Sequence, residues 1–147
     1  MTVAKQPAIF HTHFTSDPVS IASTMVALLD CLGKTGVAAD DLGSMEIVML
    51  EAINNIVEHA YLYCPDKPIE LLVRKLGQDV AVELTDSGAQ MPGGILPKGA
   101  PANVDVPVDQ LPEGGFGWYL IRTLSKDLHY CREGNENRLT FSVTTGD

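Results

Sequence analysis

The chain has 147 residues, of which 45% are hydrophobic and 20% charged, so we expect one globular domain and not a disordered chain. Its net charge of -9 and its 10 dispersed lysine and arginine residues argue against a nucleic-acid partner. Three widely spaced cysteines without a C-x-x-C pair indicate neither a disulfide framework nor a zinc site. Without a signal peptide or an apolar run of roughly 20 residues, we expect a soluble cytoplasmic protein without a membrane partner.

The first predicted element is a strand from Ala8 to Phe14, where apolar and polar residues alternate. His11 and His13 lie on one face of this strand, and an H-x-H pair on a strand can bind a metal ion. No third ligand stands near them in the sequence. We therefore interpret both as ordinary edge-strand or interface histidines.

Two helices are predicted next. Asp17 and Pro18 form a capping residue followed by a first-turn proline, and the apolar spacing that begins there ends at Gly33. Asp40 opens the second helix with acidic residues that suit the helix dipole, and this helix ends before Pro65.

The second helix contains the stretch LEAINNIVEHAY, residues 50–61. Glu51 and Asn55 are four residues apart, so they lie one above the other on the same helix face. Apolar residues on the opposite side predict the buried stripe: Met49, Ile53, Ile56, Val57 and Ala60. The polar pair alone is more typical of a solvated helix face, so a functional interpretation depends on the rest of the chain.

A hairpin is predicted from two runs, residues 69–76 and 80–86, that are joined around Gly77. Alternation in the second run buries Val80, Val82 and Leu84, and the same parity points Asp86 inward. A carboxylate that faces inward needs a donor from the protein or from a ligand.

Residues 87–114 hold five of the nine prolines, and a stretch of this kind is typical of a functional lid or of a disordered linker. We interpret it as a lid. The helix that follows begins at Gly115 and Gly117. Free backbone N–H groups at such a helix start are suited to bind an anion, but the same glycine pattern is also typical of a plain loop-to-helix junction. A closing hairpin is predicted from residues 127–132 and 137–143.

In this order the motifs resemble the GHKL ATPases, the nucleotide-binding module of gyrase-type topoisomerases, histidine kinases and MutL proteins. More narrowly, the chain resembles the bacterial anti-sigma factor serine kinases. The N-box resembles EAINNIVEHAY at 51–61, the first glycine box DSG at 86–88, and the second glycine box GGFGWYLIRTL at 114–124. His59 matches a common family residue, and we interpret it as structural.

The resemblance implies an α+β two-layer sandwich, with helices on one face of a mixed, mainly antiparallel sheet, as a single ATPase domain over residues 1–147. It implies ATP and Mg²⁺ as cofactors, with Asn55 as a ligand of Mg²⁺ and Asp86 as acceptor for the adenine amino group. The remaining residues implied to contact the nucleotide are Gly88, Gly114, Gly115, Phe116, Gly117 and Thr140, the last beside Asp86.

The resemblance also implies a protein serine/threonine kinase in which Glu51 takes the proton from the attacking serine. Its implied partners are a STAS-type anti-sigma factor antagonist, which receives the γ-phosphate of ATP, and a sigma factor or similar regulator, which the kinase sequesters. A homodimer is implied as well, with Phe10 and Phe14 of the first strand as a candidate surface.

Three alternatives stay open. Lys98 is the only basic residue between Gly88 and Gly114, which favours a nucleotide-gated binding module without kinase activity. The second alternative is a related domain that no longer binds nucleotide, and the third is a detached catalytic module of a histidine kinase. The motif DSG continues with Gln90, Met91 and Pro92 where relatives often have a further glycine, which bears on the hinge of the lid.

Overall fold

A computed structural model of the protein describes residues 7–97 and 115–146, with only the backbone described at Gly115 and Phe116. The elements follow in the order β1 (Ala8–Thr15), α1 (Pro18–Lys34), α2 (Ala39–Asn55), β2 (Pro68–Leu76), β3 (Asp79–Asp86), α3 (Gly115–Leu124), β4 (Lys126–Glu133) and β5 (Glu136–Thr144). A π-helical turn, Ile56–Ala60, continues α2, and a 3-10 turn, Pro92–Gly94, follows β3. Each predicted helix and strand is present. The predicted lid is described only to residue 97, and Lys98 and Gly114 lie outside the described residues.

The five strands form one sheet in the order β1-β2-β3-β5-β4, and each described pair of neighbours is antiparallel. The three helices pack on one face of it, which confirms the predicted two-layer α+β fold. None of the helices in the described ranges is both long and apolar enough to cross a bilayer.

The core lies between the helices and the inward face of the sheet. In β3 the side chains of Val80, Val82 and Leu84 are buried, as their alternation predicts. Asp86 continues this face at the end of the strand and is only 6% exposed. The sequence parity that predicted an inward-facing carboxylate is therefore confirmed.

In β1 the same alternation has a consequence for the predicted dimer surface. Phe14 is buried in the core, and Phe10 is partly buried against it. The prediction that Phe14 contributes to a dimer surface is wrong, because its side chain is buried in the core, whereas for the partly buried Phe10 it stays a prediction. The exposed side chains of the strand belong to the opposite face and include His11 and His13.

Candidate functional site

Helix α2 places Asn55 at the edge of the core. The side chain is 8% exposed, and its Nδ2 donates to the backbone carbonyl of Glu51 at 2.8 Å. None of the hydrogen bonds among the described residues uses Asn55 Oδ1. The prediction of a polar face opposite the buried stripe is wrong at this residue, since Asn55 is buried along with Ala52 and Ile56, whereas Val57 is half-buried.

The beginning of α3 passes close to these side chains. A Cβ atom added at Gly117 would lie 2.6 Å from Glu51 Oε2 and 3.8 Å from Asn55 Nδ2. Only a glycine leaves room for the carboxylate in its observed place. The fold thus brings Glu51, Asn55 and the amino-terminal turn of α3 together, as the resemblance implies, and that turn offers free N–H groups and the positive end of the helix dipole.

Asp86 lies on the sheet side of the same space. Its Oδ1 accepts hydrogen bonds from Asn137 Nδ2 at 2.8 Å and from the Gly88 backbone N–H at 2.9 Å. Burial raises the pKa of the Asp86 carboxyl, and these hydrogen bonds, together with the charge of Arg132, offset part of that rise. No described hydrogen bond uses Oδ2.

Asn137, on β5, connects this carboxylate to its surroundings. Its Oδ1 accepts from the Tyr130 hydroxyl at 2.5 Å and from Arg132 Nη1 at 3.1 Å. Its Nδ2 also donates to the carbonyl of Ala89 at 2.9 Å. Asn137 was not predicted as a site residue, although strand parity contained the signal, since Asn137 shares the inward face of Leu139.

Thr140 does not lie beside Asp86. It stands opposite Glu83 in the β3–β5 register, whereas Asn137 stands opposite Asp86. Thr140 is three positions after Asn137 on the same strand, so the two side chains point to opposite faces of the sheet. The prediction for Thr140 is wrong for this reason, and Asn137 takes the predicted place.

The turn after β3 is held against the end of α2. A Cβ atom added at Gly88 would lie 2.4 Å from the carbonyl oxygen of Ala60, so this backbone approach requires glycine. The next N–H, of Ala89, donates to the same carbonyl at 2.8 Å. Tyr61 adds a second connection, because its hydroxyl accepts from the Ser87 N–H at 2.8 Å.

These elements line an open pocket, whose empty volume of about 440 Å³ includes space that is open to solvent. Asn55 and Asp86 contribute polar atoms to a wall that is otherwise mainly apolar: Ala52, Ile56, Met91, Trp118 and Leu139. An apolar cleft with a few convergent polar groups is typical of a small-molecule site, and its inward carboxylate offers an acceptor to a donor group of the ligand. His59 also lines the pocket, and its Nε2 lies 3.8 Å from Oε1 of Glu58.

Of the remaining predicted residues, Gly115 begins α3 and Gly117 lies against Glu51. Gly114 and the side chain of Phe116 lie outside the described residues.

The histidine kinase-like ATPase domain is the family whose model matches this sequence, over residues 14–143. The chain belongs to this family. This finding agrees with a pocket between a helix bearing Glu51 and Asn55 and a strand that ends at Asp86.

Two curated relatives are serine-protein kinases named RsbW. That of Bacillus cereus (strain AH187) is 34% identical over 115 residues, which are 77% of this chain and 71% of the relative. That of Bacillus mycoides (strain KBAB4) is also 34% identical over 115 residues, with the same shares of 77% and 71%. These similarities support the predicted enzyme class, a protein serine kinase.

Among solved structures, the chain is similar to the RsbU and RsbW domains of Rv1364c from Mycobacterium tuberculosis, with a TM-score of 0.64 and 14% sequence identity. The match covers 92% of this chain and 31% of that chain, so this chain spans about a third of its length. At this identity the likeness concerns the fold alone, and it agrees with the two-layer architecture.

Proposed function

We propose that this protein is an ATP-dependent anti-sigma kinase, which transfers the γ-phosphate of ATP to a serine of a small STAS-type antagonist and otherwise sequesters a sigma factor or a similar regulator. A single cytoplasmic ATPase domain over residues 1–147, working as a homodimer, is part of this proposal. The observation that carries it is the position of the Glu51 carboxylate against Gly117, one helical turn from Asn55, which lines the same pocket as Asp86.

The pocket fits a magnesium nucleotide in its donor set. Asp86 offers a carboxylate to an amino group, and Gly88, whose N–H donates to that carboxylate, lets the turn after β3 pack against the Ala60 carbonyl. Asn55 Oδ1 is the kind of hard oxygen ligand that Mg²⁺ takes in small number, while keeping its waters. When bound, Mg²⁺ supplies charge neutralisation at the phosphates. The N–H groups at the beginning of α3 are suited to the phosphate oxygens.

Glu51 is the proposed proton acceptor. In the transfer, the serine oxygen of the antagonist forms a new bond to the γ-phosphorus, the bond from phosphorus to the bridging oxygen breaks, and ADP leaves. The serine proton goes to the Glu51 carboxylate. That carboxylate has no hydrogen bond among the described residues, so its oxygens are available for this role.

The test is transfer of radiolabelled phosphate from ATP to a STAS-type antagonist by the wild type and by Glu51→Gln. We expect transfer to fall by about 10²–10⁴-fold, the usual contribution of a general base. The control is nucleotide binding, which is measured by the fluorescence of Trp118. This side chain is 3% exposed and lines the pocket. Unchanged transfer by the variant would reject Glu51 as the base.

One observation favours a second function, a nucleotide-gated binding module without transfer. The described residues that line the pocket include no lysine or arginine, so none of them offers a fixed positive charge to a γ-phosphate. Under this alternative, ATP and ADP change the affinity for the antagonist, but no label reaches it. Labelling of the antagonist by the wild type would exclude the alternative.

A further inference from the structure

The uncovered face of the sheet carries a cluster that the ATP site does not use. His11 and His13 point away from the helices on β1, two residues apart. Glu70 lies on β2 directly opposite His13 in the strand register, and therefore diagonal to His11. The third ligand that the sequence lacked near the H-x-H pair is supplied by the neighbouring strand.

The three side chains converge on one point. Glu70 Oε2 lies 2.7 Å from His11 Nε2 and 3.5 Å from His13 Nε2. The two imidazole rings have centroids 5.4 Å apart and are tilted by 53°. One ligand atom from each side chain lies within 4.8 Å of the other two. Ligands of a tetrahedral zinc ion, at about 2.0–2.2 Å from the metal, are roughly 3.3 Å apart. Small rotations of exposed side chains therefore suffice to reach that geometry.

From this convergence we propose that His11, His13 and Glu70 form a binding site for a transition-metal dication of the Zn²⁺ type. Two imidazole nitrogens and one carboxylate oxygen are a ligand set that zinc uses when a fourth position stays open to water. Each ligand comes from a strand whose backbone is fixed by the sheet, so little ordering is required on binding.

This site differs in chemistry from the ATP pocket. Mg²⁺ prefers oxygen ligands in octahedral geometry, whereas imidazole suits zinc and its transition-metal neighbours. The cluster also lies on the opposite face of the sheet from Asn55, the proposed magnesium ligand. A metal ion here would connect the edge strand β1 to β2 through side chains, in addition to their backbone hydrogen bonds. We therefore expect it to stabilise the folded protein without requiring nucleotide.

The experiment is calorimetric titration of the full chain with Zn²⁺, after removal of metal and without nucleotide. The test variants are His13→Ala and Glu70→Gln, both at partly or fully exposed side chains. The matched control for the histidine is His129→Ala, and Cys64→Ser removes the exposed thiol as a competing ligand. Asn55→Ala controls for zinc at the nucleotide site. Circular dichroism verifies that each variant is folded.

We expect one zinc ion per chain, with excess Mg²⁺ failing to compete. His13→Ala and Glu70→Gln should each weaken binding more than about tenfold, since even second-shell partners of metal ligands are worth that much. The three control variants should retain the wild-type affinity. Zinc should also raise the thermal midpoint of the wild type, but not of the two test variants. Equal zinc affinity in wild type and test variants, or loss in a control, would overturn the site.

Discussion

The two ends of the candidate site, on the sheet and on the helices, differ in how their polar groups are hydrogen-bonded. At the sheet end, which we define as Asp86, Gly88, Tyr130 and Asn137, the side chains and backbone bind one another through several hydrogen bonds. At the helix end, defined as Glu51, Asn55 and Gly117, one hydrogen bond is described, and it returns to the backbone of α2.

This difference separates recognition from chemistry. The hydrogen bonds to Oδ1 hold Asp86 in one orientation and leave Oδ2 for a ligand donor, which suits selection of one ligand. Free oxygens at the helix end leave Glu51 and Asn55 available to groups that arrive with a ligand. Changes at the sheet end should therefore affect stability most, and changes at the helix end should affect activity most.

Asn137→Leu is the strongest test of the sheet end. It leaves the buried Asp86 carboxylate and the Tyr130 hydroxyl without their partner, so we expect a loss of about 3 kcal/mol in the free energy of unfolding. Urea denaturation measures it. The matched control is Thr140→Val on the opposite face of the same strand, with a change within about 0.5 kcal/mol. Equal losses of unfolding free energy in the two variants would show that the hydrogen bonds of Asn137 contribute no more to stability than the outward-facing Thr140 does.

Gly88→Ala should cost about 2 kcal/mol of unfolding free energy, because its Cβ would overlap the carbonyl of Ala60. Gly43→Ala is the control. It lies within α2 and its Cβ would meet no atom within 4 Å, so helix propensity should stabilise the protein by up to about 1 kcal/mol. Denaturation midpoints of the two variants should move in opposite directions. A stabilising Gly88→Ala would contradict the close approach.

Gly117→Ala tests the helix end. Its Cβ would displace the end of the flexible Glu51 side chain and not a backbone atom, so the fold should tolerate it. We expect phosphate transfer to fall by about tenfold, equivalent to ~1.4 kcal/mol of barrier, with stability within about 1 kcal/mol of the wild type. Single-turnover transfer and urea denaturation measure the two effects. Normal transfer would mean that the position of Glu51 is unimportant.

The smallest effect is a pH dependence at the sheet end. Burial raises the pKa of Asp86 above its ordinary value of 3.8, so the folded protein holds this proton more tightly than the unfolded chain. The resulting stability is complete below that ordinary value and is lost as the pH rises through the raised one.

Asp86→Asn removes this titration, so the unfolding free energy of the variant should gain on that of the wild type as the pH rises from 3.8 through the raised pKa. Denaturation of both proteins across that range measures the difference. Because the other titrating groups are common to both, they largely cancel. A constant difference would mean that the Asp86 pKa is unchanged by folding.

Local signals in the sequence predicted most of the fold. Asp17 caps α1 by accepting from the Ser20 N–H at 2.9 Å, as its position before Pro18 indicated. The alternation in β3 predicted the direction of Asp86. Such features depend on residues that are neighbours in the chain, so a pattern of a few residues is enough to predict them.

Features that depend on strand register or on packing were missed. Glu70 joins the two histidines only because β2 pairs with β1 in one particular register, and this register cannot be predicted from the sequence of either strand alone. Thr140 was assigned from resemblance alone, against the parity of its own strand. Burial of Asn55 was not predicted either, because it depends on the packing of α3 against α2.

The π-helical turn that continues α2 has a consequence for length. The Tyr61 N–H donates to the carbonyl of Ile56 at 2.9 Å, five residues back, so this turn contains one residue more than an α-helical turn. One residue corresponds to about 100° of rotation in an α-helix. Asn55, just before this turn, faces the pocket, and the carbonyl of Ala60, at its end, faces the turn after β3. Deleting any one residue of the turn would therefore rotate one of these two groups away from its partner, whichever residue type is removed.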